Sequence, residues 1–371
     1  MGETLDMTSL STLLLDGEEI ERIDYGFSIL YKRVHPCGIR ITCGGGKSLS
    51  VSIETVRDTW IELYADRHYV GVVHQDSSLG GTWQKSVRFE DGAREFALEN
   101  GVITLHGISL SGGAGDVALI ADDAMLKSVG EYSSSSSPLF APDTLPRVKS
   151  VDLSRTRLTA VGGEAFMGYR GELRLPDTIE EIGTRAFADT GHFPKEVVLR
   201  GVKRLNNGAL EGTGIVSVTA PDVTTAGFSG MTEVERVDIG ESPMQVLQTR
   251  AFVNCPKLRE VVLPAALSRI SGTPTYSPFK GCTSLERLTM PRSLTYIGNY
   301  ALRFCPGLRT LDLYTNSDLS TVVTLAGTRQ FEDAPADYSI LVPKKLFQQY
   351  VADKKWSAFK EHIKTGEETE S

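Results

Sequence analysis

Two stretches of this chain are nearly identical: TRAFADTGHFPKEVVL at residues 184–199 and TRAFVNCPKLREVVL at residues 249–263. Both contain an Ala-Phe pair, and weaker versions of that pair recur along the chain. The second members of these pairs are Phe166, Phe187, Leu210, Phe228, Phe252, Phe279, Leu302 and Phe331. Their spacing centres near 23 residues, which is typical of a repeat protein.

The residues around each pair predict one structural unit. In LREVVLP, Val261 and Leu263 alternate with Glu260 and point inward, which is the pattern of a β-strand. Pro264 ends that strand because proline has no N–H for the next ladder bond. The Ala-Phe segment is expected to place its apolar side chains inward from a tight turn or short helix. The glycine of the Ile-Gly pair before it, such as Gly183, is expected to permit the bend.

A unit of this size cannot bury enough apolar surface by itself, so each copy must stack on its neighbours and share their core. The sequence therefore predicts a leucine-rich repeat solenoid of parallel strands with short helices or turns. We expect about eight repeats over residues 148–337.

The unit resembles the BspA-like bacterial leucine-rich repeat in its order of LP, IG, AF, C and L. The resemblance covers about residues 148–331 and is clearest at 172–187, 250–264 and 279–308. The ending VP…Y…W after residue 341 is similar to that of BspA-like proteins of Bacteroidetes. The resemblance implies a cell-surface or secreted protein that binds a protein or glycan.

The two ends differ in character from the repeats. Residues 1–131 predict an all-β, sandwich-like domain, with a partly open barrel as the alternative. Residues 132–147 predict a Ser/Pro-rich linker, and 338–371 a cap strand and helix with a disordered tail from Lys364 onward. One helix is expected at residues 123–130. Nine short alternating stretches predict the N-terminal strands: 27–33, 38–42, 48–54, 59–65, 68–74, 85–89, 94–98, 102–108 and 116–122.

Composition narrows the possible partners. The 371 residues carry a net charge of −8, which disfavours nucleic acid, and no apolar run is long enough to span a membrane. The first residues lack the apolar core of a signal peptide. We therefore expect either a leader that has been removed, which alone could supply a lipid anchor, or a cytoplasmic protein.

Three of the five cysteines, Cys255, Cys282 and Cys305, occupy the same place in successive repeats. Other repeats place Tyr, Thr, Met or Ala there, which favours a packing position for small hydrophobic groups. A disulfide between stacked repeats and a metal site remain alternatives.

Catalytic and cofactor motifs are weak. The sequence CGGGKS lacks the first glycine of a phosphate-binding loop, because Ile41 stands there. His68 and His74 are too far apart along one strand to share an ion. The sequence thus predicts no cofactor, no metal and no enzyme activity. An alternative is a carbohydrate-active enzyme using a carboxylate pair in the N-terminal domain, from Glu54, Asp58, Glu62, Asp66, Glu90 and Asp91.

The outward strand positions should form rows on one exposed sheet face. We take these as the candidate partner-binding face: Glu172, Arg174, Glu196, Arg236, Asp238, Glu260, Arg287, Asp312 and Tyr314. The preferred hypothesis is a non-catalytic surface or secreted bacterial adhesion protein with a protein or glycan ligand. A structural, self-assembling cell-envelope component is the alternative.

Overall fold

The N-terminal part of the chain is built from β-strands. The computed structural model describes strand backbone only between residues 14 and 32, and then residues 38–366 except 45–47, 57–58, 75–80, 91–93, 100, 113–114, 131–137, 192 and 314–320. The strands are β1 (Leu14–Leu15), β2 (Glu18–Glu19), β3 (Arg22–Tyr25), β4 (Ser28–Lys32), β5 (Ile39–Cys43), β6 (Ser48–Val56), β7 (Ile61–Ala65), β8 (His68–Val73), β9 (Thr82–Glu90), β10 (Glu95–Glu99), β11 (Val102–Ser111), β12 (Val117–Ala121) and β13 (Ser128–Val129).

All nine predicted N-terminal strand stretches contain a strand. In β6, Leu49, Val51 and Ile53 are buried while the residues between them are not, because successive side chains leave opposite faces of a strand. Antiparallel pairing gives two sheets, one in the order β8-β7-β10-β5-β12 and the other in the order β9-β6-β11. Their buried side chains belong to a single hydrophobic core.

The helix predicted at residues 123–130 is wrong. Asp123 accepts hydrogen bonds from the backbone N–H groups of Val102 and Met125 in a turn, and the chain then enters β13. Gly130 follows with a left-handed φ of 75°. This segment ends in a strand instead of a helix because β13 is held by its parallel pairing with β11.

Most turns of the repeat region contain two strands. They are β14 (Val148–Asp152), β15 (Ala160–Val161), β16 (Glu172–Arg174), β17 (Glu181–Ile182), β18 (Glu196–Val198), β19 (Arg204–Leu205), β20 (Ser217–Thr219), β21 (Arg236–Asp238), β22 (Val246–Leu247), β23 (Glu260–Val262), β24 (Arg269–Ile270), β25 (Arg287–Thr289), β26 (Tyr296–Ile297), β27 (Thr310–Asp312), β28 (Thr324–Leu325), β29 (Ser339–Val342) and β30 (Ile363–Thr365).

These strands form a parallel β-solenoid of about 11 turns. The main ladder runs through β14 and β16, then β18, β20, β21 and β23, and finally β25, β27, β29 and β30. A second ladder of two-residue strands runs beside it, from β13 through β19 and again from β22 to β28. The main ladder thus extends past the eight units that the Ala-Phe spacing predicts, into β12 at one end and β30 at the other.

The N-terminal sheets continue directly into the solenoid. β12 pairs in parallel with β14, placing Leu119 beside Val151, and β13 bridges β11 to β15. Leu139 and Phe140, within the predicted linker, are buried in the same core. The serines at 133–137 lie outside the described residues, and the domain bounds at 131 and 148 remain a prediction.

The Ala-Phe pairs build the solenoid core. Phe166 stacks on Phe187 with ring centroids 5.6 Å apart, and Phe228 stacks on Phe252 at 5.5 Å. Leu210 continues this column between the two pairs and is fully buried. Each turn therefore completes the hydrophobic environment of its neighbours, as the stacking argument predicts.

The Ile-Gly glycine serves close packing rather than a bend. A Cβ on Gly183 would lie 2.5 Å from the backbone nitrogen of Gly163 in the preceding turn. Gly298 meets the backbone of Ile270 in the same way, with a Cβ position 2.9 Å from its carbonyl oxygen. Only glycine permits these backbones to approach.

The C-terminal end covers the last turns. A 3-10 helix (Lys344–Leu346), α1 (Phe347–Ala352) and a second 3-10 helix (Trp356–His362) follow β29. Trp356 is fully buried and its indole N–H donates to the Val323 carbonyl at 2.6 Å. Lys364 and Thr365, which the sequence assigns to a tail, belong to β30, because the edge of β29 offers them a parallel partner. Residues 367–371 lie outside the described part.

Candidate partner-binding face

Parallel pairing places the predicted outward residues in rows. Glu196, Ser217, Arg236 and Glu260 stand side by side on β18, β20, β21 and β23. Val198, Thr219, Asp238 and Val262 form the neighbouring row. These two rows, with their continuations on β14, β16, β25 and β27, are called the strand face here.

The predicted residues differ in their accessibility. Arg236 and Asp238 are half-buried, Asp312 is buried, and Tyr314 lies outside the described residues. The exposed members are Glu172, Arg174, Glu196, Glu260 and Arg287. The structure therefore brings most of the predicted set onto one surface.

Charges on the strand face offset one another. The Arg236 guanidinium lies 3.0 Å from an Asp238 carboxylate oxygen and 3.1 Å from one of Glu260. Arg174 lies 3.8 Å from Asp152 on the preceding strand. Such surface pairs add little stability, so their side chains can exchange these partners for a ligand at low cost.

Asp312 has an internal role. Its side chain is fully buried and accepts a hydrogen bond from Arg287, whose side chain is 54% exposed. A buried carboxylate requires such a partner because desolvation penalises its charge. Strand alternation alone predicts that Asp312 points outward to solvent. It does not predict that Arg287 of the preceding turn shields the Asp312 carboxylate.

The three aligned cysteines are free, buried thiols. The Sγ atoms of Cys255 and Cys282 donate to the backbone carbonyls of Phe228 and Phe252, one turn earlier, at 3.1 Å in both cases. Cys305 makes the equivalent contact with the carbonyl of Phe279. Burial raises the pKa of Cys255 and of Cys305 to about 12. The column is therefore a packing position with protonated thiols, and it contains no disulfide.

A family model described as the BspA type leucine-rich repeat region matches residues 159–273 and 222–323. Residues 159–323 are therefore similar to the BspA-type leucine-rich repeat family. The match confirms the resemblance of the repeated unit, and no family model recognises the N-terminal domain.

Three solved structures are similar to this chain at low identity. A leucine-rich repeat protein from Bacteroides ovatus is 15% identical, with 66% of this chain and 70% of that chain covered and a TM-score of 0.44. A leucine-rich cell surface protein from Faecalibacterium prausnitzii is 16% identical, with 66% and 73% covered and a TM-score of 0.34.

The pneumococcal vaccine antigen PcpA is 13% identical, with 72% of this chain and 92% of that chain covered and a TM-score of 0.28. At these scores the three structures support no argument about function. No curated protein matches the chain.

Three acidic residues of the alternative enzyme hypothesis, Glu54, Glu62 and Asp66, are described, and they lie in different parts of the N-terminal sheets. Glu54 lies on β6 of one sheet, where it approaches His106 at 3.5 Å, whereas Glu62 lies on β7 of the other sheet and accepts a hydrogen bond from Tyr64. Both alternate with core residues, so they point away from each other. Asp66 accepts the backbone N–H groups of Arg94 and Glu95 in a turn. Asp58, Asp91 and the side chain of Glu90 lie outside the described residues.

Within residues 38–366, leaving aside the gaps given above, no group of three or more His, Cys, Asp or Glu side chains is arranged to hold a metal. None of the helices in this part has the length and apolar character needed to cross a bilayer.

Sequence reasoning missed the turn that follows each Ala-Phe pair. The residue two positions later has a left-handed φ between 56° and 80° in all eight units. In the first seven units its N–H donates to the next turn, as Asp189 does to Glu211 and Asn254 to Lys280, both at 2.8 Å. Gly, Asn or Asp occupies seven of these positions, a composition that signals left-handed backbone. The residues are Gly168, Asp189, Gly212, Gly230, Asn254, Gly281, Phe304 and Asp333.

Proposed function

We propose that this chain is a non-catalytic binding protein of the bacterial cell surface that holds a protein or glycan ligand on its strand face. The similarity of residues 159–323 to the BspA-type family supports a surface binding or adhesion role and a repeat protein without enzyme activity. We propose further that the protein is secreted or surface-attached and that the exposed charged residues of the strand face contact the ligand.

The single observation that supports the strand face is its fixed register over β18, β20, β21 and β23. The inward residues Val197, Val218, Val237 and Val261 pack on the core. Core packing holds the backbone while the outward side chains remain available, which gives a rigid, preorganised surface. Solenoids use extended surfaces of this kind to bind macromolecules.

The test uses the full chain, because the N-terminal sheets hydrogen-bond to the first repeats and would be broken in separate fragments. The labelled protein is applied to an array of purified glycans and extracellular proteins, and each ligand found is titrated by interferometry. The charge reversal Glu196→Lys/Glu260→Lys should weaken binding at least about tenfold, a change of about 1.4 kcal/mol.

The matched control is Asp143→Lys/Glu361→Lys, which makes the same change of charge at exposed residues outside the strand face. Equal losses of ligand affinity in the two double variants would mean that the change of net charge alone causes the effect. An array without any ligand, or a ligand indifferent to the Glu196 and Glu260 reversals, would contradict the use of this face.

One observation favours self-assembly as a second candidate. β8 ends its sheet among the described strands, and it exposes Val70 (54%) and Val72 (39%) beside Trp60 (57%). An exposed apolar edge strand is a template for pairing with a second copy. Light scattering should show an oligomer that Val70→Lys converts to monomer; a monomeric wild-type chain at all concentrations would remove this candidate.

A further inference from the structure

A second surface runs along the turns that hold the Ala-Phe pairs, away from the strand face. In the last four units these turns bear one cation each: Arg250, Lys280, Arg303 and Arg329. With the rings of Tyr276, Tyr300 and Phe304 they form what we call the cationic strip.

Cations and rings alternate along the first part of the cationic strip. The Arg250 guanidinium carbon lies 3.9 Å from the ring centroid of Tyr276, and the Lys280 ammonium lies 5.2 Å from the same ring. Lys280 also lies 4.9 Å from the Phe304 ring, on which Arg303 packs at 4.2 Å. Each contact joins neighbouring turns or positions, so the cations are held in a line.

The line continues to the last unit. Arg303 and Arg329 lie 5.5 Å and 5.4 Å from the ring centroid of Tyr300, and the Tyr300 hydroxyl accepts a hydrogen bond from Arg329. Glu332 pairs with both arginines, and Asp333 lies 3.5 Å from Arg303. Four cations therefore face two carboxylates.

The surplus of positive charge is local. Within the described part of the chain, Arg250 and Lys280 make no ion pair, although the whole protein carries a net charge of −8. At the position of Lys280 and Arg303, the first four units hold uncharged or acidic residues, namely Met167, Ala188, Glu211 and Ser229. At the position of Arg250 and Arg329 they hold Glu164, Arg185, Gly208 and Ala226, and Arg185 is paired with Glu211 at 3.3 Å. The cationic strip is thus a separate electrostatic feature of the last four units, suited to an anionic ligand.

The backbone N–H groups of these turns already donate hydrogen bonds within the solenoid. The N–H groups of Asn254, Gly281 and Phe304 donate to the following turn at 2.8, 2.9 and 3.2 Å. An extended acidic peptide therefore finds no main-chain edge to pair with here, which removes the usual basis of strand addition. Recognition must come from side chains.

Spacing points to a polymer with charge on regularly repeated units. Neighbouring turns of a β-solenoid lie about 4.8 Å apart, as strands do in a sheet, and the strip offers one cation per turn. Successive sugar rings of an extended acidic polysaccharide present carboxylate or sulfate groups in a similarly regular row. The exposed residues Thr275 and Thr328 lie on the same turns, and their hydroxyls can bond sugar hydroxyls.

We propose that the cationic strip binds an acidic polysaccharide through its carboxylate or sulfate groups. Arg250 and Lys280 supply the charges that no carboxylate of the described chain offsets, and Arg303 and Arg329 extend the row. This site is independent of the strand face and of the ligand proposed for it.

The full-length protein is titrated by interferometry with polygalacturonate, dextran sulfate, neutral dextran and polyglutamate at low and high salt. We expect binding to polygalacturonate or dextran sulfate that weakens with salt, and none to neutral dextran. Tighter binding to polygalacturonate would indicate recognition of carboxylate groups, and tighter binding to dextran sulfate would indicate recognition of sulfate groups. Absence of binding to both acidic polysaccharides, or tighter binding to polyglutamate, overturns the proposal.

Arg250→Ser/Lys280→Ser should weaken this binding at least tenfold. Lys344→Ser/Lys345→Ser removes two exposed positive charges from the cap instead and should retain it. Equal loss in both double variants overturns the assignment to the strip. If the first double variant melts early, Arg250→Glu alone, at an exposed position, provides the same comparison. Glu196→Lys/Glu260→Lys should leave polysaccharide binding intact, which separates this proposal from that for the strand face.

Discussion

Phe252 stacks on Phe279 of the next turn with ring centroids 5.3 Å apart and ring planes 7° from parallel. Phe228 contacts the other face of Phe252 at 5.5 Å. One side chain therefore contributes to the core of three consecutive turns. Since the core of each turn is completed by contacts with its neighbours, a substitution that disrupts one turn should also destabilise the turns on both sides.

Phe252→Ala should lower the free energy of unfolding by about 3–5 kcal/mol, because it removes a buried ring and leaves a cavity between two turns. Chemical denaturation followed by circular dichroism measures the change. Val198→Ala, at a strand-face side chain that is 58% exposed, should stay within about 0.5 kcal/mol. Equal denaturation midpoints for the two variants would contradict the shared core.

Gly183→Ala should destabilise the protein by about 1–3 kcal/mol, because the added methyl group would meet the rigid backbone of Gly162 and Gly163. The control is Gly71→Ala, where a Cβ would have no neighbour within 4 Å. Thermal melts of both variants make the comparison. If Gly183→Ala melts with the wild type, the turns are not packed as closely as described.

The buried thiols predict a loss of stability at high pH. Burial raises the pKa of Cys255 and Cys305 to about 12, and that of Cys282 well above its usual range. An unfolded thiol ionises near pH 8.5. The contribution of the three buried thiols to the free energy of unfolding is therefore complete below about pH 8.5. It declines as the pH rises toward 12, by up to about 1.4 kcal/mol per pH unit for each thiol.

Cys282→Ser tests this pH dependence because it retains a hydroxyl donor, as Thr190 does toward the Phe166 carbonyl in an earlier turn. Urea unfolding at pH 8, 9.5 and 10.5 should show a shallower decline for the variant than for the wild type. Parallel declines would mean that Cys282 ionises equally well in the folded chain.

Trp356→Phe should cost about 1–3 kcal/mol, since it leaves the Val323 carbonyl without its indole donor inside the cap. Trp60→Phe changes the same chemical group on the surface and should have an effect below about 0.5 kcal/mol. Fluorescence-detected unfolding provides both values. A similar stability for the two variants would show that the cap contributes little to the last turns.

The Ala-Phe spacing and strand alternation were sufficient to predict stacked parallel turns, the inward Val261 and the outward rows, because these features depend on period and polarity within one unit. The nine N-terminal strand stretches followed from the same local alternation. Gly183 was expected to matter, but its reason, the approach of another backbone, comes from a different turn.

What the sequence by itself determined about this protein is the content of each repeat, since side-chain period and size suffice to choose strand, turn and core positions. Only the tertiary structure decided which residues of different turns lie together. Unit lengths vary, so the burial of Asp312 under Arg287, the line from Arg250 to Arg329 and the pairing of β12 with β14 all depend on three-dimensional register. A local pattern does not specify that register, because it is set by packing over the whole core.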